Sequence, residues 1–367
     1  MEIRRVAASV LILVLAACAA QQDEAAESTA VQTALECRPC RVEQTPIVRL
    51  GDVDGAGHVS EQGTIAQTND GRYLVVSNFE PGIIKLFDST GQYIGTTGRL
   101  GSGPGEYQSP WSIIPEAEFI TIFDYAAVRA TRLSANLEHL ETRPMRVRST
   151  AVAKVSDDLY VFSTPQRRGS SVSPIQVYNW STDELTSVLD SVVPINSDPQ
   201  ETFLTVAQGH EGTVWVAQRG TYRLDLWDAR SGIRLRRIEP AAQWFAEGRQ
   251  RESGIARRVP PRPSIVALAH DASDHLWVLI HDASSTWAPL DPARNLEGET
   301  YTSDAQLNLL YDTVVDVYDV TTGRMIASQR FAGRILGFVR PGIVFAYRED
   351  AEGYPYYEVS RISLEAN

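Results

Sequence analysis

Three thiols carry the most specific chemical signals in the sequence. Cys18 closes the stretch Leu15-Ala16-Ala17-Cys18, behind a basic pair, Arg4 and Arg5, and an apolar run from Val6 to Leu15. That run is about ten residues, half of what a bilayer-spanning helix needs, so it reads as a removable signal over residues 1–17. Small residues ahead of a cysteine have the form of a lipobox, and the chemistry expected there is acylation of the Cys18 thiol, which becomes the first mature residue. Each buried CH₂ of an acyl chain contributes ~0.8 kcal/mol, enough in sum to hold a chain on a membrane. The other two thiols stand as Cys37-Arg38-Pro39-Cys40. Outside the cytoplasm the simplest expectation is a local disulfide. A redox site lacks the surrounding βαβ pattern, a metal site lacks two further ligands, and pairing with thiols of a partner chain is the remaining alternative.

Further along, Arg249, Arg251, Arg257, Arg258 and Arg262 crowd into one segment ahead of Pro260, Pro261 and Pro263. Guanidinium forks suit carboxylate and phosphate, so the segment is a candidate anion holder; a solvated helix with Glu247 and Glu252 as partners is the structural alternative. The chain as a whole is acidic, with 34 basic against 46 acidic residues and a net charge of -12, which excludes a nucleic-acid partner. It contains no P-loop, no H-E-x-x-H and no G-x-S-x-G.

The elements that must position these groups repeat with a period of two, short Val/Ile/Leu/aromatic runs being separated by Gly, Asp, Asn and Pro. Six units align on Gly71, Ala117, Asp157, Gly212, Asp274 and Gly342, each opening a strand such as Gly71-Arg72-Tyr73-Leu74-Val75-Val76 or Gly212-Thr213-Val214-Trp215-Val216-Ala217. A following strand runs into Asp and Gly, as in Lys85-Leu86-Phe87-Asp88-Ser89-Thr90-Gly91, which is a hairpin signal. Repetition of the whole block favours a propeller over a sandwich. The expected architecture is all-β: a signal over 1–17, a lipidated cysteine with a flexible tether and the Cys pair over 18–45, and a six-bladed β-propeller over 46–367. Ile47-Val48-Arg49-Leu50 has no unit of its own and the last unit is one strand short, so the N-terminal segment is expected to close the ring. A long insertion, Ala283 to Leu310, interrupts the fifth unit and reads as a lid or as decoration, and a helix is expected only near Ala241 to Arg258.

Seven positions beyond each alignment point stand Asn78, Asp124, Thr164, Arg219, His281 and Glu349. At the ends of equivalent strands they are expected to ring one mouth of the central channel. Asn78, Asp124 and Glu349 have the oxygen ligands for calcium, although Arg219 in the same ring opposes a cation. A zinc lyase would need several channel histidines; only His281 fits the ring, with His210 and His270 nearby. No metal set is therefore assigned.

The stretch Gly98-Arg99-Leu100-Gly101-Ser102-Gly103-Pro104-Gly105-Glu106-Tyr107 resembles the blade connector of bacterial six-bladed β-propeller lipoproteins, which are related to the NHL-repeat propellers. That resemblance implies the fold and export to the cell envelope, and it adds Arg99, Glu106 and Tyr107 to the candidate binding residues. The functional expectation is a lipid-anchored binding or scaffolding protein, at the outer membrane because Ala19 follows Cys18, that holds a peptide, glycan or partner protein. The alternative is a channel-centred, metal-dependent hydrolase or lyase of the lactonase type.

Overall fold

The computed structural model describes residues 40–164, 173–187, 203–245, 259–288 and 303–366. Six four-stranded antiparallel sheets form a ring of blades. Blade 1 holds β2 (Gly63–Gln67), β3 (Tyr73–Ser77), β4 (Ile84–Phe87) and β5 (Tyr93–Thr97), named from the axis outward. Blade 2 holds β6 (Pro110–Pro115), β7 (Phe119–Asp124), β8 (Arg129–Ser134) and β9 (His139–Pro144). Blade 3 holds β10 (Ala151–Lys154), β11 (Leu159–Ser163), β12 (Ile175–Asn179) and β13 (Glu184–Ser187). Blade 4 follows with β14 (Leu204–Gln208), β15 (Thr213–Gln218), β16 (Leu224–Asp228) and β17 (Arg234–Ile238). Blade 5 has β18 (Ser264–His270), β19 (His275–Ala283), β20 (Tyr311–Asp319) and β21 (Met325–Phe331), and blade 6 has β22 (Gly337–Arg340), β23 (Ile343–Glu349) and β24 (Pro355–Ala366).

The outer strand of blade 6 is β1 (Cys40–Leu50), the first strand of the chain, which closes the ring as the sequence predicts. It starts at Cys40 rather than at Pro46, so the segment expected to be tether up to residue 45 is strand at its end. The early start has a plain cause: Val42 is 3% exposed and packs with Ile362 and Ala327 between blades 5 and 6, so the strand has an apolar reason to continue. Cys40 pairs with Ala366 and Leu50 with Tyr357, with one irregularity between Pro46 and Val48. Cys18 and Cys37 lie outside the described residues.

Each blade interface has its own apolar cluster, and the period-two pattern explains how one strand serves two of them. On β15, Val214 and Val216 pack toward blade 3 while Trp215 and Ala217 pack toward blade 5. On β3, Tyr73 and Val75 face blade 6 while Leu74 and Val76 face blade 2. Both faces of these second strands are buried, which is why they read as continuous apolar runs rather than as alternation. Trp215, fully buried, is the largest of the side chains sealed in this way.

The alignment points turn out to be the turns that lead from the innermost strand into the second. Gly71, Gly212 and Gly342 take φ values of +89°, +78° and +77° there, where a Cβ is unfavourable. Innermost strands pack against one another all the way round. The insertion in blade 5 sits between β19 and β20 as predicted and ends in a short helix, α1 (Asp304–Leu310), capped by the Ser303 hydroxyl, which accepts from the Gln306 N–H. Residues 289–302 lie outside the described set, as do residues 246–258 of the predicted helix with Arg249, Arg251, Arg257 and Arg258. Among the described residues no helix is long and apolar enough to cross a membrane.

Candidate functional site

In blades 1 to 5 the end of the second strand lies beside the start of the innermost strand: Ser77 pairs with Gly63, Asp124 with Pro110, Ser163 with Ala151, Gln218 with Leu204 and His281 with Ser264. In blade 6 β23 runs on past β22, and Glu349 at its end pairs with Pro355 and lies close to Glu61 ahead of β2. The six predicted positions therefore share one mouth of the channel, called here the first mouth. Their roles there are unlike. Asp124 is 3% exposed and its carboxylate accepts from the backbone N–H groups of Gln108, Ser109 and Ala127 at 2.7, 3.0 and 3.0 Å. Thr164 is buried and donates to the Ser173 and Pro174 carbonyls at 2.9 and 3.2 Å. His281 is buried with Nε2 donating to the Ile335 carbonyl at 2.8 Å. These three pin loops to blades and do not present themselves to a ligand, contrary to the sequence expectation. The reason is that a strand end leaves backbone groups unpaired, and a nearby polar side chain satisfies them first.

Asn78, Glu349 and Arg219 remain exposed. Asn78 donates from its amide to the Gln62 side-chain oxygen at 3.3 Å, and Glu349 accepts from the Tyr347 hydroxyl at 3.0 Å. Arg219 stands between two innermost strands, its N–H on the Phe203 carbonyl at 3.2 Å and its carbonyl accepting from Ile265 N–H at 2.9 Å. Solvent reaches it, yet it is recessed among enough protein that desolvation, then the Arg334 charge, lower its pKa below the ordinary arginine range. Among the described residues no carboxylate is paired with it; its one side-chain partner is the Phe203 ring, 5.7 Å away.

The sequence reading missed the groups beside it. Asp304 of α1, 3% exposed, pairs with Arg334 at 2.8 Å and accepts from the Gln62 N–H at 2.8 Å, so the insertion reaches from blade 5 across to blade 1. Asn308 of the same helix donates to the Tyr347 carbonyl at 3.0 Å. Glu61 close by has its pKa raised, by burial first and then by the charges of Asp304 and Glu349. The first mouth is thus divided, acidic at Glu61, Asp304 and Glu349 and cationic at Arg219 and Arg334.

The decapeptide residues form a self-contained loop. Glu106 accepts from the Ser102 and Gly103 N–H groups at 2.9 and 2.7 Å and pairs with Arg99 at 2.7 Å. The Gly103 N–H and then Arg99 lower its pKa. A Cβ on Gly101 would sit 2.2 Å from the Glu106 carboxylate, so the glycine makes room for that fold-back. Tyr107 is 1% exposed, and burial pushes its hydroxyl up to about 12. Of the three candidates Arg99 is well exposed, Glu106 is partly exposed but engaged by the loop, and Tyr107 is buried, and the motif reads as a device for joining blades 1 and 2.

Along the axis runs a channel of about 920 Å³, lined by innermost-strand residues such as Ile114, Val152, Val206 and Val266. It opens at the second mouth, where the turns between first and second strands gather Lys154, His210, Glu211, His270 and Asp271. Two polar groups stand there. Glu116, 8% exposed, takes the Tyr160 hydroxyl at 2.6 Å and the Thr121 hydroxyl at 2.7 Å and pairs with Lys154 at 2.5 Å, which ties blades 2 and 3 together. His210, His270 and Asp274 form the other, between blades 4 and 5. Their positions were visible in the alignment: His210 stands two residues before Gly212, and Asp274 is itself an alignment point four residues after His270.

The family model described as DUF5128, 6-bladed beta-propeller, matches residues 58–236, from ahead of blade 1 into the last strand of blade 4. A member of the DUF4221 family from Bacteroides vulgatus has the same fold, with a TM-score of 0.58 at 10% identity, covering 90% of this chain and 100% of its own. A candidate exported protein from Bacteroides fragilis gives a TM-score of 0.55 at 11% identity, over 90% of this chain and 98% of its own. At such identities the likeness is one of fold alone. No curated protein matches the sequence. The blade-by-blade topology, the family match and the shared fold agree with the decapeptide: this chain is a six-bladed β-propeller that resembles the bacterial six-bladed propeller families.

Proposed function

We propose that the protein is a lipid-anchored, extracytoplasmic binding or scaffolding protein that holds an anionic group of a peptide, glycan or partner protein at the first mouth. The observation that carries the reading is Arg219, a recessed guanidinium with no carboxylate paired to it among the described residues and with the like charge of Arg334 nearby. A solvent-reachable guanidinium crowded by a like charge gains from an anion, and a ligand carboxylate, sulfate or phosphate fits its fork. The acidic groups on the other side of the same mouth suit a ligand of mixed charge. The lipobox at Cys18 supports export, as does the likeness to a candidate exported protein. Calcium chemistry at Asn78, Asp124 and Glu349 is disfavoured because Asp124 spends its oxygens on three backbone N–H groups.

The test is an array of acidic peptides and of uronate and sulfated glycans, probed with the full chain and with Arg219→Ala. An anionic probe is expected to bind, with affinity about tenfold lower in Arg219→Ala, or roughly 1.4 kcal/mol, at an unchanged melting temperature. Arg219→Lys should recover part of the loss, since a lysine keeps the charge but not the fork. Binding that is indifferent to both substitutions, or confined to cationic probes, overturns the reading.

A further inference from the structure

At the opposite end of the channel the geometry points to a transition-metal site, in which His210, His270 and Asp274 hold one divalent ion of the zinc class between blades 4 and 5. This goes beyond the reading of Arg219 and does not rest on it. Ligand atoms of the three residues all lie within 4.8 Å of one another. Both imidazoles turn Nε2 toward the same carboxylate oxygen: His210 is hydrogen-bonded to Asp274 Oδ1, and His270 Nε2 lies 3.3 Å from that atom. The rings stand edge to face, 80° apart with centroids 4.8 Å from each other. The His270 side chain is 3% exposed and its Nε2 makes no hydrogen bond of good geometry. A buried ring nitrogen without a donor or acceptor partner, aimed at a carboxylate that a second imidazole already engages, is the arrangement a cation completes.

The scaffold around the cluster is built to hold it. His270 ends β18, and Asp274 stands in the turn that follows, at the position blades 1, 4 and 6 give to glycine. It keeps a left-handed φ of +62° nonetheless, a conformation Asp tolerates better than most side chains. Asp271 fixes that turn by accepting from the Ser273 and His275 N–H groups at 2.8 and 3.0 Å and from Trp277 Nε1 at 2.8 Å. From the other side the Asp274 carbonyl accepts from the Val320 N–H at 2.8 Å. His210 arrives from the equivalent turn of blade 4 and is the exposed member, with 65% of its side chain open to solvent. Zinc–nitrogen bonds of ~2.0–2.1 Å put tetrahedral ligand atoms ~3.3 Å apart, a contraction that rotation of the exposed His210 ring provides. Two imidazoles with one carboxylate select zinc or its late first-row neighbours over calcium and magnesium, which prefer oxygen alone. His210 and His270 both line the channel, so the site is open to solvent from that side.

The full chain, freed of any affinity tag and stripped with a chelator, is titrated with Zn²⁺ by calorimetry and with Co²⁺ by visible spectroscopy. One ion per chain is expected, with Co²⁺ giving d–d bands and no thiolate charge-transfer band, and with excess Ca²⁺ failing to displace it. Zn²⁺ should raise the melting temperature by stapling blades 4 and 5. His210→Ala removes an exposed turn residue and leaves the core intact; it should weaken binding about tenfold or more and abolish the thermal shift. Asp274→Asn, which keeps a residue suited to the left-handed turn, should do the same. Absence of saturable binding, equal binding in both variants, or a loss seen only when Cys37 and Cys40 are replaced by serine overturns the site.

Discussion

His281 stands with Nε2 against the Ile335 carbonyl, and burial, then the charge of Arg334, bring its pKa down to about 3. The unfolded chain holds the ordinary value near 6.5, so between those limits it binds a proton that the folded state refuses. Stability is therefore complete above pH 6.5 and is lost as pH falls, by roughly 2 kcal/mol on reaching pH 5. His270, also lowered, acts in the same direction. His281→Gln keeps a donor for the Ile335 carbonyl and has nothing to protonate; urea denaturation between pH 7 and 5 should show a flatter dependence than in the parent. An unchanged slope would assign the acid sensitivity elsewhere. At this scale the sequence was only partly legible. Alignment put Asn78, Asp124, Thr164, Arg219, His281 and Glu349 at one mouth, but Asp124, Thr164 and His281 serve backbone groups of loops whose paths no strand pattern specifies. The pairing of Asp304 with Arg334 depends on an insertion with no counterpart in the other blades.

The strands were far more legible, because a blade's second strand is buried on both faces and, in blades 1, 4, 5 and 6, its turn takes a left-handed residue. Gly71, Gly212 and Gly342 marked those turns in the sequence before their φ values did so in space. The Asp-to-Gly hairpins were equally open to reading: Asp88 accepts from the Thr90 and Gln92 N–H groups at 2.8 and 3.0 Å, and Gly91 follows at φ +86°. What the pattern did not show was how far β1 extends, since its alternation fades where it leaves the apolar cluster. The element still has a definite mechanical role. Deleting residues 45–50 removes Leu50 from the cluster between blades 6 and 1 and leaves part of β24 unpaired. The melting temperature should fall by roughly 10 °C or more, whereas deleting residues 21–30 should leave it unchanged. Equal melting temperatures for the two deletions would deny β1 its closing role.

On the scale of the whole molecule the proposed anchor at Cys18 and the ring are separable. Cys18→Ala should leave the propeller folded and move it from the membrane to the soluble fraction, or leave it unprocessed, with loss of fatty-acid labelling. A variant that stays fully in the membrane with its signal removed would defeat the lipobox reading. The ring itself binds the first and last described strands together, Cys40 opposite Ala366. That contact spans nearly the entire described sequence, and contacts so distant along the chain form slowly. Translation order sharpens the point: β1 is made before every other described strand, and its partner β24 after all of them. Until β24 is in place, β1 has no partner strand, and the ring keeps an open gap at blade 6. Closure of the ring is therefore a late step of folding, and until it occurs the edge of β1 is open to pairing with neighbouring chains.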